Sequence, residues 1–97
     1  MGTLFIVSNS CFKRRDFGIW LRVAQQGDTV IFIQNGVYAS AGMPSELREL
    51  YEDAKRRGVR FCMLKEDLEA RGLKPVGDIV DYDGFLDLIE SHSKIVH

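Results

Sequence analysis

The chain has 97 residues, 45% of them hydrophobic and 28% charged. That is an ordinary globular composition and fits a single domain over residues 1–97 with one core. Lys plus Arg number 13 and Asp plus Glu 14, a net charge of −1, so there is no global electrostatic case for nucleic acid or an anionic membrane.

The apolar runs are too short for a membrane span, and the opening MGTLFIVSNSC lacks the basic region of a signal peptide, so a cytoplasmic chain is expected. Two cysteines without a CxxC spacing, and two histidines, argue against a disulfide framework or a metal site. No cofactor is expected either.

Thr3 to Ser8 (TLFIVS) is apolar on both sides, as a central parallel strand should be. The polar loop Ser8-Asn9-Ser10-Cys11 follows, and Lys13-Arg14-Arg15 leads into a helix with Asp16 as its N-cap. Phe17, Trp20, Leu21 and Ala24 recur at helical spacing, and Ile19 and Val23 widen the stripe on a second side. Such a helix is covered by the sheet and by something else. Gly27 ends it.

The second strand, Thr29 to Gln34, contains the run Val30-Ile31-Phe32-Ile33 and reads as buried on both faces. Gln34, Asn35 and Gly36 follow at its carboxyl end, where open α/β sheets meet ligands and partners. Asn35-Gly36 taken alone reads as a turn, because both residues tolerate positive φ. Val37 to Ala41 reads as a short helical turn.

Pro44 and Ser45 open the next helix, with Leu47, Leu50, Tyr51 and Ala54 as its inner stripe. Lys55-Arg56-Arg57 suits the negative end of that helix, and Gly58 stops it. A third strand spans Arg60 to Leu64, and a short helix, Lys65 to Arg71, is closed by Gly72. The fourth strand, Ile79 to Tyr82, is short and acidic and belongs nearer a sheet edge. Asp83 is expected to cap the last helix, whose Phe85, Leu88 and Ile89 face inward. Ser91 to His97 reads as a tail whose Ile95-Val96 docks on the fold or on a partner.

Strands alternating with helices predict an α/β fold: a small open parallel sheet of four or five strands, with helices on both faces and right-handed crossovers. A sheet this small has difficulty covering both of its faces, so a partner that covers a face or edge is expected.

The loop SNSCFKRRD offers hydroxyls, amides and a helix start to an anion. It holds neither GxGxxG nor GxxxxGK[ST], so a nucleotide reading is weak. Lys13, Arg14 and Arg15 suit RNA phosphates, but a run of three charges is more often a solvated surface. Cys11, beside those cations and near a helix start, has the surroundings of a reactive thiolate; the plainer reading is a small residue packed under the loop. Cys62 lies in an apolar strand and reads as core. His92 reads as a surface or interface residue, and Glu66, Asp67 and Glu69 as an acidic cluster with no matching acid nearby.

Four stretches, in this order, carry a resemblance: LFIVSNSCFKRRDF at the start, FIQNGVYAS after the second strand, LKEDLEARGL (Leu64 to Leu73) and IVDYDGFLDL (Ile79 to Leu88). From Leu4 to Ile89 the chain resembles the DsrH/TusB family, the smallest subunits of DsrEFH- and TusBCD-type sulfur-relay complexes. The resemblance implies a small parallel α/β fold in a cytoplasmic heterohexamer with DsrE/TusD-like and DsrF/TusC-like subunits. It implies a part in relaying persulfide sulfur toward 2-thiouridine at the tRNA wobble position, or in sulfur oxidation. The sulfur-carrying cysteine of these complexes belongs to the DsrE/TusD subunit.

Some DsrH members carry a further cysteine on the first helix; here none lies between Asp16 and Gln26, and Trp20 occupies that region. TusB-type members lack it too. The chain is therefore expected to be a non-catalytic assembly subunit that meets tRNA only indirectly and no membrane. Trp20, Gln34, Asn35, Gly36 and Tyr38 are its candidate partner-binding residues, and the isolated chain is a candidate homo-oligomer. Two alternatives stand beside this reading: a direct persulfide carrier through Cys11, and a small RNA-contacting module using Lys13, Arg14 and Arg15.

Overall fold

The computed structural model of the chain describes residues 2–9 and 16–97. Its sheet has five parallel strands: β1 (Thr3–Val7), β2 (Thr29–Phe32), β3 (Arg60–Leu64), β4 (Asp78–Val80) and β5 (Lys94–Val96), in the order β4-β3-β2-β1-β5. The helices α1 (Asp16–Val23), α2 (Ser45–Arg56), α3 (Lys65–Arg71) and α4 (Tyr82–Ser91) alternate with the strands, and a 3-10 helix spans Gln34–Ala41. β2 is central, which is why all four of its residues are buried. A strand covered on both faces needs an uninterrupted apolar run, and Val30-Ile31-Phe32 supplies it.

The alternation of side chains along each strand divides the core in two. On one face Phe5, Val7, Val30, Phe32, Phe61 and Met63 lie beneath Phe17, Leu21 and Ala24 of the first helical segment and Tyr51 and Ala54 of α2. Phe17 meets Phe32 edge-on at 5.4 Å, and Tyr51 meets Phe61 at 4.4 Å between ring centroids. On the other face Leu4, Ile31 and Cys62 are covered by Leu88, with Phe85 and Ile89 of α4 packed around them. The first helical segment and α2 thus cover one face, joined by Val37 and Ala39 of the 3-10 helix and Leu68 of α3, while α4 covers the other.

The sequence-based boundaries shift where the chain turns sooner than its apolar pattern suggests. β1 ends at Val7 and not Ser8, and β2 at Phe32 and not Gln34. Ile33 still donates its N–H to Val7 O at 2.9 Å, but Gln34 has φ of 50° and directs the chain into the 3-10 helix. That helix begins three residues ahead of the expected turn at Val37.

β4 lies at the sheet edge as expected, but it covers Asp78–Val80 and Tyr82 already belongs to α4. The cap of α4 is Asp81, whose carboxylate accepts from the Gly84 N–H at 2.8 Å; Asp83 lies inside the first turn. Extended backbone at Asp81 directly after the strand places its carboxylate against the free amides of that turn. The expected tail supplies β5, paired with the outer edge of β1 through Leu4↔Ile95. Arg57, read as a helix-end cation, reaches across to α1 and donates to Leu21 O at 2.5 Å and Ala24 O at 3.0 Å, satisfying carbonyls that the end of α1 leaves unpaired.

Candidate partner-docking edge

The carboxyl end of β2 is held by its neighbours on three sides. Val7 O receives the Ile33 N–H, and Ile33 O receives the Gly36 N–H at 2.8 Å. These bonds bring the backbone of residue 36 against β1 so closely that a Cβ on Gly36 would stand 2.0 Å from Val7 O. No side chain fits there, so glycine is required by a neighbour's carbonyl.

Gln34, one residue past Ile33, takes a left-handed backbone that costs a non-glycine residue energy. The Asp67 carboxylate of α3 accepts the Gln34 N–H at 2.6 Å and helps hold it there. Arg71, one turn further along α3, ties the remaining pieces together. It donates to Asp67 O at 3.2 Å and to the Asp67 carboxylate at 3.4 Å, and to the side-chain oxygen of Asn35 at 3.2 Å. Its guanidinium also lies 5.8 Å from the centroid of the Tyr38 ring.

Gln34, Asn35, Gly36 and Tyr38 are therefore brought together as one built edge, fastened by α3. Gly36 is buried and shapes the backbone, whereas Gln34 and Asn35 are exposed and Tyr38 is 40% exposed. Trp20 belongs to a different set of contacts. It is half-buried on α1, with its ring 5.7 Å from that of Phe5. It lines a cavity of about 20 Å³ with Ser8, Asn9, Phe17 and His97 at the end of β1, room for about one water molecule. Cys11, Lys13, Arg14 and Arg15 lie outside the described residues.

Asp67 and Arg71 are the residues that sequence reasoning missed. Their i, i+4 spacing on a short helix directly after a central strand was the available signal. The acidic cluster resolves into separate roles: Asp67 holds the Gln34 turn, and Glu66 accepts the Tyr82 N–H at 3.4 Å at the start of α4.

Cys62 is buried in β3, and burial pushes its thiol pKa up against the opposing pull of Arg60. His92 is half-buried, with Nε2 2.8 Å from Thr29 Oγ1 and Nδ1 2.8 Å from Leu88 O, a fastening between the end of α4 and β2. Among the described residues no group of three His, Cys, Asp or Glu is placed to hold a metal ion, and no helix is long and apolar enough to cross a membrane.

A family model described as DsrH like protein matches residues 9–95. The chain is 36% identical over 93 residues to Protein TusB of Photorhabdus laumondii subsp. laumondii, covering 92% of this chain and 93% of that protein. It is 35% identical over 79 residues to Protein TusB of Erwinia tasmaniensis, covering 77% of this chain and 79% of that one. A Thermotoga maritima protein solved by NMR in solution has the same fold, with a TM-score of 0.65 at 22% identity and 92% of each chain covered.

Proposed function

The chain belongs to the DsrH/TusB family, and we propose that it works as a non-catalytic assembly subunit of a cytoplasmic sulfur-relay complex. Its partners are a DsrE/TusD-like subunit, which carries the persulfide, and a DsrF/TusC-like subunit. The relay delivers sulfur for 2-thiolation of the tRNA wobble uridine, or serves sulfur oxidation, and this chain meets tRNA only through its partners.

One observation carries the assembly role. The stretches that mark the family are spent on one another. Asp67 and Arg71 of LKEDLEARGL fasten Gln34 and Asn35 of FIQNGVYAS, and Glu66 meets the amide of Tyr82 in IVDYDGFLDL. The result is an edge, fastened from α3, that presents two amide side chains and a phenol. An edge whose backbone is already tied in place loses less freedom on docking than a free loop, which favours a binding surface. Amides and an aromatic hydroxyl suit a protein partner, since they give both hydrogen bonds and contact area.

The test is co-purification of the chain from its native cell, with the partners identified by mass. A DsrE/TusD-like and a DsrF/TusC-like chain are expected in equal amounts with it, and Arg71→Met is expected to lower their recovery. Recovery of the chain alone, or bound directly to RNA, overturns the reading.

A further inference from the structure

The outward side of α1 and α2 is a second apolar surface, used neither by the sheet nor by the edge that α3 fastens. Ile19 and Val23, one turn apart on α1, are 59% and 55% exposed. With Gly18 of α1 facing Leu47 and Leu50 of α2, the two helices pack closely here. A groove of about 560 Å³ runs between them, with Leu47 and Leu50 in its floor. Ile19 and Arg22 form the α1 rim, and Glu46 and Glu49 stand on the α2 rim.

Among the described residues, Asp53 of the α2 rim pairs with Arg56, whereas Arg22, Glu46 and Glu49 form no ion pair. The cation thus lies on one helix and the unpaired acids on the other, with apolar side chains between them.

That arrangement is complementary to itself. A two-fold axis through the groove lays the α1 ridge of one copy over the α2 floor of the other. Ile19 and Val23 then meet Leu47 and Leu50, Arg22 meets Glu46 and Glu49, and symmetry makes each contact twice. A partner surface of one charge sign, nucleic acid included, would leave one rim facing like charge. We propose that this α1–α2 surface is where two copies of the chain pair about a two-fold axis. The proposal does not depend on the sulfur-relay reading.

Sedimentation of the full chain from micromolar to millimolar concentration tests it. The wild-type chain is expected to pass from monomer to dimer, and Ile19→Glu, at a site exposed in the monomer, to weaken pairing at least tenfold. Arg22→Glu alone and Glu46→Arg/Glu49→Arg alone are each expected to pair more weakly, because each places like charges across the axis. An equimolar mixture of those two variants is expected to form a heterodimer, since both rims then face opposite charge again. A rescue that needs two different chains does not come from contacts within one copy. A wild-type chain that stays monomeric, an Ile19→Glu chain that pairs like wild type, or a mixture that stays monomeric overturns the proposal. None of these outcomes bears on recovery of the other relay subunits.

Discussion

At Gly36 the residue type is dictated by a neighbour's carbonyl, and this has a measurable consequence. Gly36→Ala must move either β1 or the 3-10 helix away from Val7 O. Overpacking of this kind costs about 2 kcal/mol or more, and denaturant unfolding is expected to show that loss; an unchanged midpoint would contradict the close approach.

Buried ionisable groups make a second prediction. Burial raises the pKa of Cys62, and burial followed by Glu52 raises that of Tyr51. A group whose pKa is higher folded than unfolded stabilises the fold fully below its unfolded pKa, and that contribution is lost as pH rises through the folded value. Stability is therefore expected to fall on the alkaline side of the ordinary thiol range. Cys62 in the native chain is also expected to react with a thiol reagent far more slowly than in the unfolded chain; equal rates would contradict its burial.

The sequence made Cys62 legible as core, but it read Asn35-Gly36 as a turn through positive φ, whereas the positive φ falls on Gln34, and Asn35 and Gly36 both lie inside the 3-10 helix. It did not show which carbonyl approaches Gly36, because that depends on the register of β1 against β2. Nor did it reveal the work of Asp67 and Arg71, since charged residues on a short helix read equally well as a solvated face.

Among the elements, the helix stops at Gly58 and Gly72 were readable from their glycines, but α1 ends at Val23, ahead of the stop expected at Gly27. The three long strands were readable because burial on both faces leaves an uninterrupted apolar signature. The short ones were not. β5 has three residues, with Ile95 beside Leu4 and Val96 beside Phe5 on opposite faces, too little chain to show a period. The start of α4 offered two aspartates two positions apart, and only the backbone decides between them. Asp81→Ala is expected to cost about 1 kcal/mol as a lost cap, and Asp83→Ala only a few tenths. Thermal melts of the two variants check this; equal shifts would contradict the assignment of the cap to Asp81.

At the scale of the whole molecule, a 97-residue chain covers one sheet face with α1 and α2, helped by the 3-10 helix and α3, and the other with α4 alone. Its outer strands are blunt, since β4 and β5 have three residues each. The expectation of a partner came from size and pattern, and Gln34, Asn35, Gly36 and Tyr38 were read from the sequence as candidates for its contact edge. The fastening of that edge was not legible, because it rests on how the tertiary fold sets Asp67 and Arg71 of α3 against the end of β2. The central claim is that this subunit assembles the relay and does not carry its sulfur. The most direct measurement is to reconstitute the complex, load the DsrE/TusD-like partner with isotope-labelled persulfide and follow the label in the wild-type and Cys11→Ser complexes. The account predicts that the label bypasses this chain and that Cys11→Ser passes sulfur onward at the wild-type rate. Label on Cys11, together with loss of onward transfer in Cys11→Ser, would contradict it and make this subunit a carrier.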